Sequence, residues 1–153
     1  MTKKTHDDWM EKALFLAHKA EAAGEVPVGA VLVKDNQLIA EGWNQPITSH
    51  DATSHAEIMA MRAAGKKLNN YRLIDTTMYV TLEPCSMCVG AMIHARVAKV
   101  VYGAPEPRTG ALGGAFDLLA ANQHNHVFEV EAGVLADESK TLLQNFFRSR
   151  RKK

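Results

Sequence analysis

The chain has 153 residues, 46% hydrophobic and 23% charged, with a formal net charge of +1. That length suits a single domain (residues 1–153) with a substantial core, and the composition is that of a soluble globular protein rather than a disordered or disulfide-framed one. No stretch approaches the roughly 18 uninterrupted apolar residues a membrane span needs, so no membrane partner is expected.

The N-terminus, Met1-Thr2-Lys3-Lys4-Thr5-His6-Asp7-Asp8, has no apolar run behind its lysines, which argues against a signal peptide. Asp7 or Asp8 is expected to cap a first helix running to about Gly24, with Trp9, Met10, Leu14, Ala17 and Ala20 at near-helical spacing. Residues 28–33 and 37–40 read as two strands joined by a tight turn at Asp35-Asn36. A loop rich in turn residues follows from Asn44 to Ser54. A helix from His55 to about Leu68 and a buried strand over 76–82 come next. Pro84 suits the first position of a third helix that carries Cys85 through His94, since its missing N–H would have no partner there. Lys99 to Gly103 reads as a strand and Ala104 to Gly114 as a long surface loop. A short helix over 116–121, a strand over 128–130 and a final helix from about Asp137 complete the chain. A helix, a hairpin and then alternating helices and strands point to an α/β domain with helices on both faces of a mixed sheet.

The chemistry concentrates in His55-Ala56-Glu57 and Pro84-Cys85-Ser86-Met87-Cys88. Both cysteines of the chain lie in the second segment. With two cysteines three apart and no secretory signal, thiolates reserved for metal in a reducing cytoplasm are the expectation, not a disulfide. A helix N-terminus carries unpaired N–H groups and partial positive charge, which lowers cysteine pKa values and favours thiolate ligation. Cys85 and Cys88, at i and i+3, share one helical face. His55 must join them from another helix start, giving one imidazole and two thiolates. Three protein ligands for Zn²⁺ leave the fourth tetrahedral position to water, the arrangement of a catalytic site. Glu57, two residues from His55, should sit beside that water as proton shuttle rather than on the ion. A lone Cys-x-x-Cys is also compatible with a redox pair or half a zinc ribbon. His50 is a rival to His55, but it lacks a glutamate two residues on.

Charge is uneven despite the near-neutral total. The last six residues, Arg148 to Lys153, hold five of the 18 basic residues. They suit either a solvated tail or a local phosphate-binding patch.

His-x-Glu followed by Pro-Cys-x-x-Cys is the signature of zinc-dependent nucleobase deaminases. With its flanking segments, among them Glu25-Val26-Pro27-Val28-Gly29, Gly42-Trp43-Asn44, Asn70-Tyr71-Arg72-Leu73 and Phe146-Phe147-Arg148, the chain closely resembles the bacterial tRNA-specific adenosine deaminases of the cytidine deaminase superfamily. The resemblance covers nearly the whole chain. It implies a three-layer α/β/α fold with a five-stranded mixed sheet, and a cytoplasmic homodimer with its active site near the subunit interface. It also implies one Zn²⁺ per subunit and, as substrate, the wobble adenosine in the anticodon stem-loop of an arginine tRNA with anticodon ACG.

Carried onto this sequence, His55, Cys85 and Cys88 resemble the zinc ligands and Glu57 the general acid/base. Asn44 resembles the amide that hydrogen-bonds the flipped adenine; by itself it is equally a strand-ending turn residue. Pro27 and Val28 resemble walls of the base pocket. The loop 105–110, with Glu106 and Arg108, resembles one that touches nucleotides flanking the target, although Pro105 and Pro107 depart from the family pattern. One of the adjacent Phe146 and Phe147 should be core and the other free to stack on a splayed base, for which Phe147 is taken. Arg148, Arg150 and Arg151 are then phosphate contacts. Met59, Met61, Met87, Met92, Trp9 and Trp43 read as core. Two other functions fit the metal motif: deamination of a free base or nucleoside, and a structural zinc module that recruits a fourth protein ligand.

Overall fold

In the computed structural model, which describes residues 3–121 and 123–151, the strands at the centre of the sheet are apolar on both faces. Such strands must be covered on both sides, and helices do so. The order is α1 (His6–Ala22), β1 (Gly29–Lys34), β2 (Gln37–Trp43), α2 (Ala56–Leu68), β3 (Thr77–Leu82), α3 (Ser86–Ala95), β4 (Lys99–Ala104), β5 (Glu129–Glu131) and α4 (Ala136–Arg151). The sheet runs β2-β1-β3-β4-β5. Its β2-β1 and β1-β3 pairs are antiparallel, and β3-β4 and β4-β5 are parallel. This is the expected five-stranded mixed sheet in a three-layer α/β/α fold.

Alternation along each strand splits the core in two. Ala30, Leu32, Met78, Val80, Val100 and Tyr102 pack with α2 and α3. Val31, Val33, Tyr79 and Val101 face Trp9, Met10, Ala13 and Leu16 of α1. α4 lies on the α1 side of β4, with its Ser139 hydroxyl against Gly103.

Several local expectations shift. Thr5, not Asp7 or Asp8, caps α1: its hydroxyl accepts from the Asp8 N–H, and the Asp8 carboxylate accepts from the Thr5 N–H. Asp8 stands three residues into the cap, where an acidic side chain reaches back to complete a capping box. Leu14 is only half-buried; Ala13 and Leu16 take the inward positions instead. Pro84 lies before the α3 cap rather than inside the helix, because Cys85 stays extended while its carbonyl accepts the Val89 N–H at 3.0 Å. The 116–121 segment is a single 3-10 turn, Leu118–Ala120. Of the residues expected in the core, Trp9, Met61 and Met92 are buried, whereas Trp43, Met59 and Met87 are half-buried.

One close approach sets the site. A Cβ at Gly42 would overlap the Ala56 carbonyl and come within 2.6 Å of the Ala60 nitrogen. Only glycine lets the start of α2 lie this close to β2.

Candidate active site

The N-termini of α2 and α3 converge, and each places its cap residue at the meeting point. His55 caps α2 and Cys85 caps α3, both with extended backbone and neither spending its side chain on its own helix. For α2 that task passes to Asn44, at the end of β2. Its Oδ1 accepts the Ala56 N–H at 2.8 Å, while its Nδ2 donates to the Val26 carbonyl at 3.1 Å. The His55 ring is thereby free to turn toward the sulfurs.

It does so through Nδ1, which lies 3.6 Å from Cys85 Sγ and 3.6 Å from Cys88 Sγ. All three donor atoms fall within 4.8 Å of one another, and this is the grouping able to hold a metal among the described residues. With Zn–S near 2.3 Å and Zn–N near 2.0 Å, tetrahedral angles put a sulfur about 3.5 Å from a nitrogen ligand. The observed separations fit that value, and two thiolates with an imidazole fit the borderline softness of zinc. His50, the rival ligand, is exposed in the 44–54 loop and outside the cluster.

The three donors hydrogen-bond and shift one another. Hydrogen bonding to Cys88, with His55 adding to it, pulls the Cys85 thiol down to about 4 against the cost of burial. Cys88 is pushed up, because it supplies that hydrogen bond and is buried. His55 is raised, mainly by its contact with Cys85.

Glu57 sits in the first turn of α2, only 4% exposed and outside the three-donor cluster. Burial pushes its carboxyl up to about 7, although the nearby His55 and a hydrogen bond with Cys88 act the other way. A carboxyl poised near neutral pH next to a metal-ligand set is suited to move protons in either direction.

Pro27 and Val28 are both buried. The Asn44 N–H donates to the Val28 carbonyl at 3.1 Å, which brings these residues together with Asn44 beside the start of α2. Glu106 is half-buried and its carboxylate accepts the Arg108 N–H at 2.9 Å, so it shapes its own turn; the Arg108 side chain is exposed. In α4, Phe146 is buried and Phe147 is 44% exposed, which settles which ring is core. Arg148 and Arg151 are exposed. Arg150 is exposed as well; its guanidinium lies 4.8 Å from the Phe146 ring centroid and donates to the Gly24 carbonyl. Stacking and a backbone acceptor satisfy a planar cation better than solvent alone. Lys152 and Lys153 of the basic tail lie outside the described residues.

Two buried carboxylates escaped the sequence reading. Glu25 accepts the N–H groups of Ile47 and Thr48 and the Thr48 hydroxyl, and so anchors the 44–54 loop. Burial works to raise its pKa, but the bonds from Thr48 and Ile47 prevail and hold it below the usual carboxylate range. Glu83 does the same for the 105–114 loop, accepting from Glu106, Leu112 and Gly114. The available signal was a glutamate directly before Pro84, at the end of an apolar strand. A groove of about 840 Å³ opens between α2 and α3, away from the metal cluster, lined in part by Ile58, Met61, Tyr71, Leu73, Ala91 and His94.

Known proteins match this arrangement along nearly its whole length. The family model described as MafB19-like deaminase matches residues 4–151. The tRNA-specific adenosine deaminase of Haemophilus influenzae is 52% identical over 143 residues, covering 93% of this chain and 83% of that one. The Bacillus subtilis enzyme of the same name is 45% identical over 150 residues, covering 97% and 93%. Among solved structures, one from work on A-to-I editing by tRNA:A34 deaminases superposes with a TM-score of 0.84 at 39% identity, covering 88% of this chain and 98% of that one. A guanine deaminase from Nitrosomonas europaea superposes at 0.79 with 26% identity, covering 95% and 86%. By relatives of this identity and coverage, the chain belongs to the tRNA-specific adenosine deaminase family.

Proposed function

We propose that this chain, as one deaminase domain over residues 1–153, converts the wobble adenosine at position 34 of an arginine tRNA with anticodon ACG to inosine. One Zn²⁺ would be held by His55, Cys85 and Cys88. Bound there, the ion supplies a Lewis acid that makes a water nucleophilic near neutral pH. The observation that carries the reading is His55 Nδ1 at 3.6 Å from both sulfurs, with the buried Glu57 carboxyl beside them.

Glu57 accepts one proton from the attacking water and gives it to the purine ring nitrogen, then takes the second proton from the added hydroxyl and gives it to the departing amine. The water oxygen becomes the product carbonyl, and ammonia leaves. Pro27 and Val28 exclude solvent from the base. Asn44 has its carbonyl oxygen and one N–H engaged in the protein, so it serves the purine as a donor through its second N–H. Outside the pocket, Phe147 stacks on a splayed base, while Arg108, Arg148 and Arg151 meet phosphates.

The tRNA relatives support an RNA substrate, and such a substrate assigns the work to the cytoplasm. The family resemblance supports a homodimer with the active site near the subunit interface. No helix among the described residues is long and apolar enough to cross a membrane.

The test is incubation with unmodified arginine tRNA, its isolated anticodon stem-loop, free adenosine and free guanine. Inosine in both RNAs and turnover of neither small molecule is the expected pattern. Ammonia from guanine or adenosine with none from RNA would assign the site to free-base chemistry instead.

A further inference from the structure

Glu83 is 3% exposed, and among the described residues no basic side chain pairs with it. Its partners are all main-chain. Oε1 accepts the Glu106 N–H at 2.9 Å, and Oε2 accepts Leu112 and Gly114 at 2.9 and 2.8 Å. Charge-assisted bonds in a low-dielectric setting are strong, and three of them pin one loop at three points. The loop is shaped to receive the carboxylate: a Cβ at Gly110 or Gly114 would collide with it. The Ala111 N–H also donates to the Pro84 carbonyl at 2.9 Å. The 105–114 loop is thus fastened to the strand end that carries Cys85.

The sheet does not depend on this side chain. β3 and β4 pair through their own ladder, from Thr77↔Lys99 to Leu82↔Ala104. Apart from Glu83, the loop is held by the Ala111–Pro84 bond, the buried Ala111 and its own turn bonds, while residues 105, 107–109 and 113–117 are exposed. A loop that is loose before binding must be ordered by the ligand, and that cost appears as weaker affinity.

We propose that Glu83 is a positioning residue for RNA binding. It holds the 105–114 loop in its bound form, so that Arg108 meets the nucleotides flanking the target adenosine without an ordering cost. The proposal rests on the RNA reading of the site. It separates two tasks: the metal cluster and Glu57 set turnover, and Glu83 sets affinity through the loop.

The test compares the zinc-loaded full chain with Glu83→Gln on an ACG anticodon stem-loop. Glutamine keeps the volume but turns an NH₂ group toward at least one of the three N–H donors. The expected result is a KM raised about tenfold or more with kcat within about threefold, the mark of lost uniform binding. Zinc content should be unchanged. The Leu112 and Gly114 amides should exchange hydrogen at least about tenfold faster, with β3 and β4 amides unaffected. Gly114→Ala, whose Cβ would crowd both the carboxylate and the Glu106 carbonyl it holds in place, should reproduce the KM effect. Freed loop amides with unchanged KM, or a fall in kcat with KM held, would overturn the proposal. If Glu83→Gln does not fold, an unaltered KM in Gly114→Ala overturns it. Absence of inosine from the unaltered protein defeats the wider functional reading, and this one with it.

Discussion

At the scale of single residues, Glu57 carries most of the argument. Its pKa rises from 4.5 to about 7 because the charged form is buried. A carboxyl raised in the folded state contributes stability below its unfolded pKa and loses it as pH climbs through the folded value. Metal-stripped protein should therefore weaken between about pH 4.5 and pH 7, by up to about 3 kcal/mol. Glu57→Gln should remove that fall, so its thermal stability at pH 8 should exceed that of the parent while the two converge near pH 4. Activity follows the opposite course, since only the carboxylate can accept a proton. Turnover should decline on the acid side with a midpoint at or below about pH 7, because the ion's charge opposes the effect of burial. Glu57→Gln should lower kcat by about 10²–10⁴ or more, the range of a lost general base. Near-parental turnover in that variant would remove Glu57 from the mechanism.

At the scale of elements, the site is an encounter of two helix starts, and the caps explain how it is held. His55 and Cys85 occupy cap positions where serine or aspartate would ordinarily bond their own helix. Asn44 compensates for α2 across 12 residues of chain. Asn44→Ala should cost about 1–2 kcal/mol in thermal or denaturant unfolding, from one lost cap that strands the Ala56 N–H. A loss below a few tenths would show that the bond to Ala56 is immaterial. The elements were largely legible because their signals are local. The both-face apolar runs of β1 and β3, the turn at Asp35 and Asn36 with both φ positive, and the Cys-x-x-Cys face all declare themselves within a few residues. Asn44 as a cap, Glu83 as a loop anchor and Arg150 as a packing residue were not legible that way. The partners of Asn44 and Glu83 lie 12 and 23–31 residues away and the Gly24 acceptor of Arg150 126 away, so no short window contains both ends; only Phe146 lies within one helical turn of Arg150.

At the scale of the whole molecule, a chain with a net charge of only +1 must bind RNA through local charge. α4 ends on exposed Arg148 and Arg151, with Phe147 beside them. If each arginine meets one phosphate of a single-stranded loop, replacing it by alanine should lower the slope of log affinity against log salt by about 0.7. Arg150→Ala should leave that slope unchanged and instead cost about 0.5–1 kcal/mol of stability, through the lost contact with Phe146. Equal salt slopes for all three variants would contradict this division.

The central claim joins a zinc held by His55, Cys85 and Cys88 to a proton moved by Glu57, acting on an adenosine in tRNA. It is tested most directly by measuring zinc content and wobble inosine on the same preparations of the parent and Glu57→Gln. One zinc per chain in both, with inosine formed by the parent alone, is the predicted result. Inosine from zinc-free parent protein, or from Glu57→Gln at the parental rate, would contradict it.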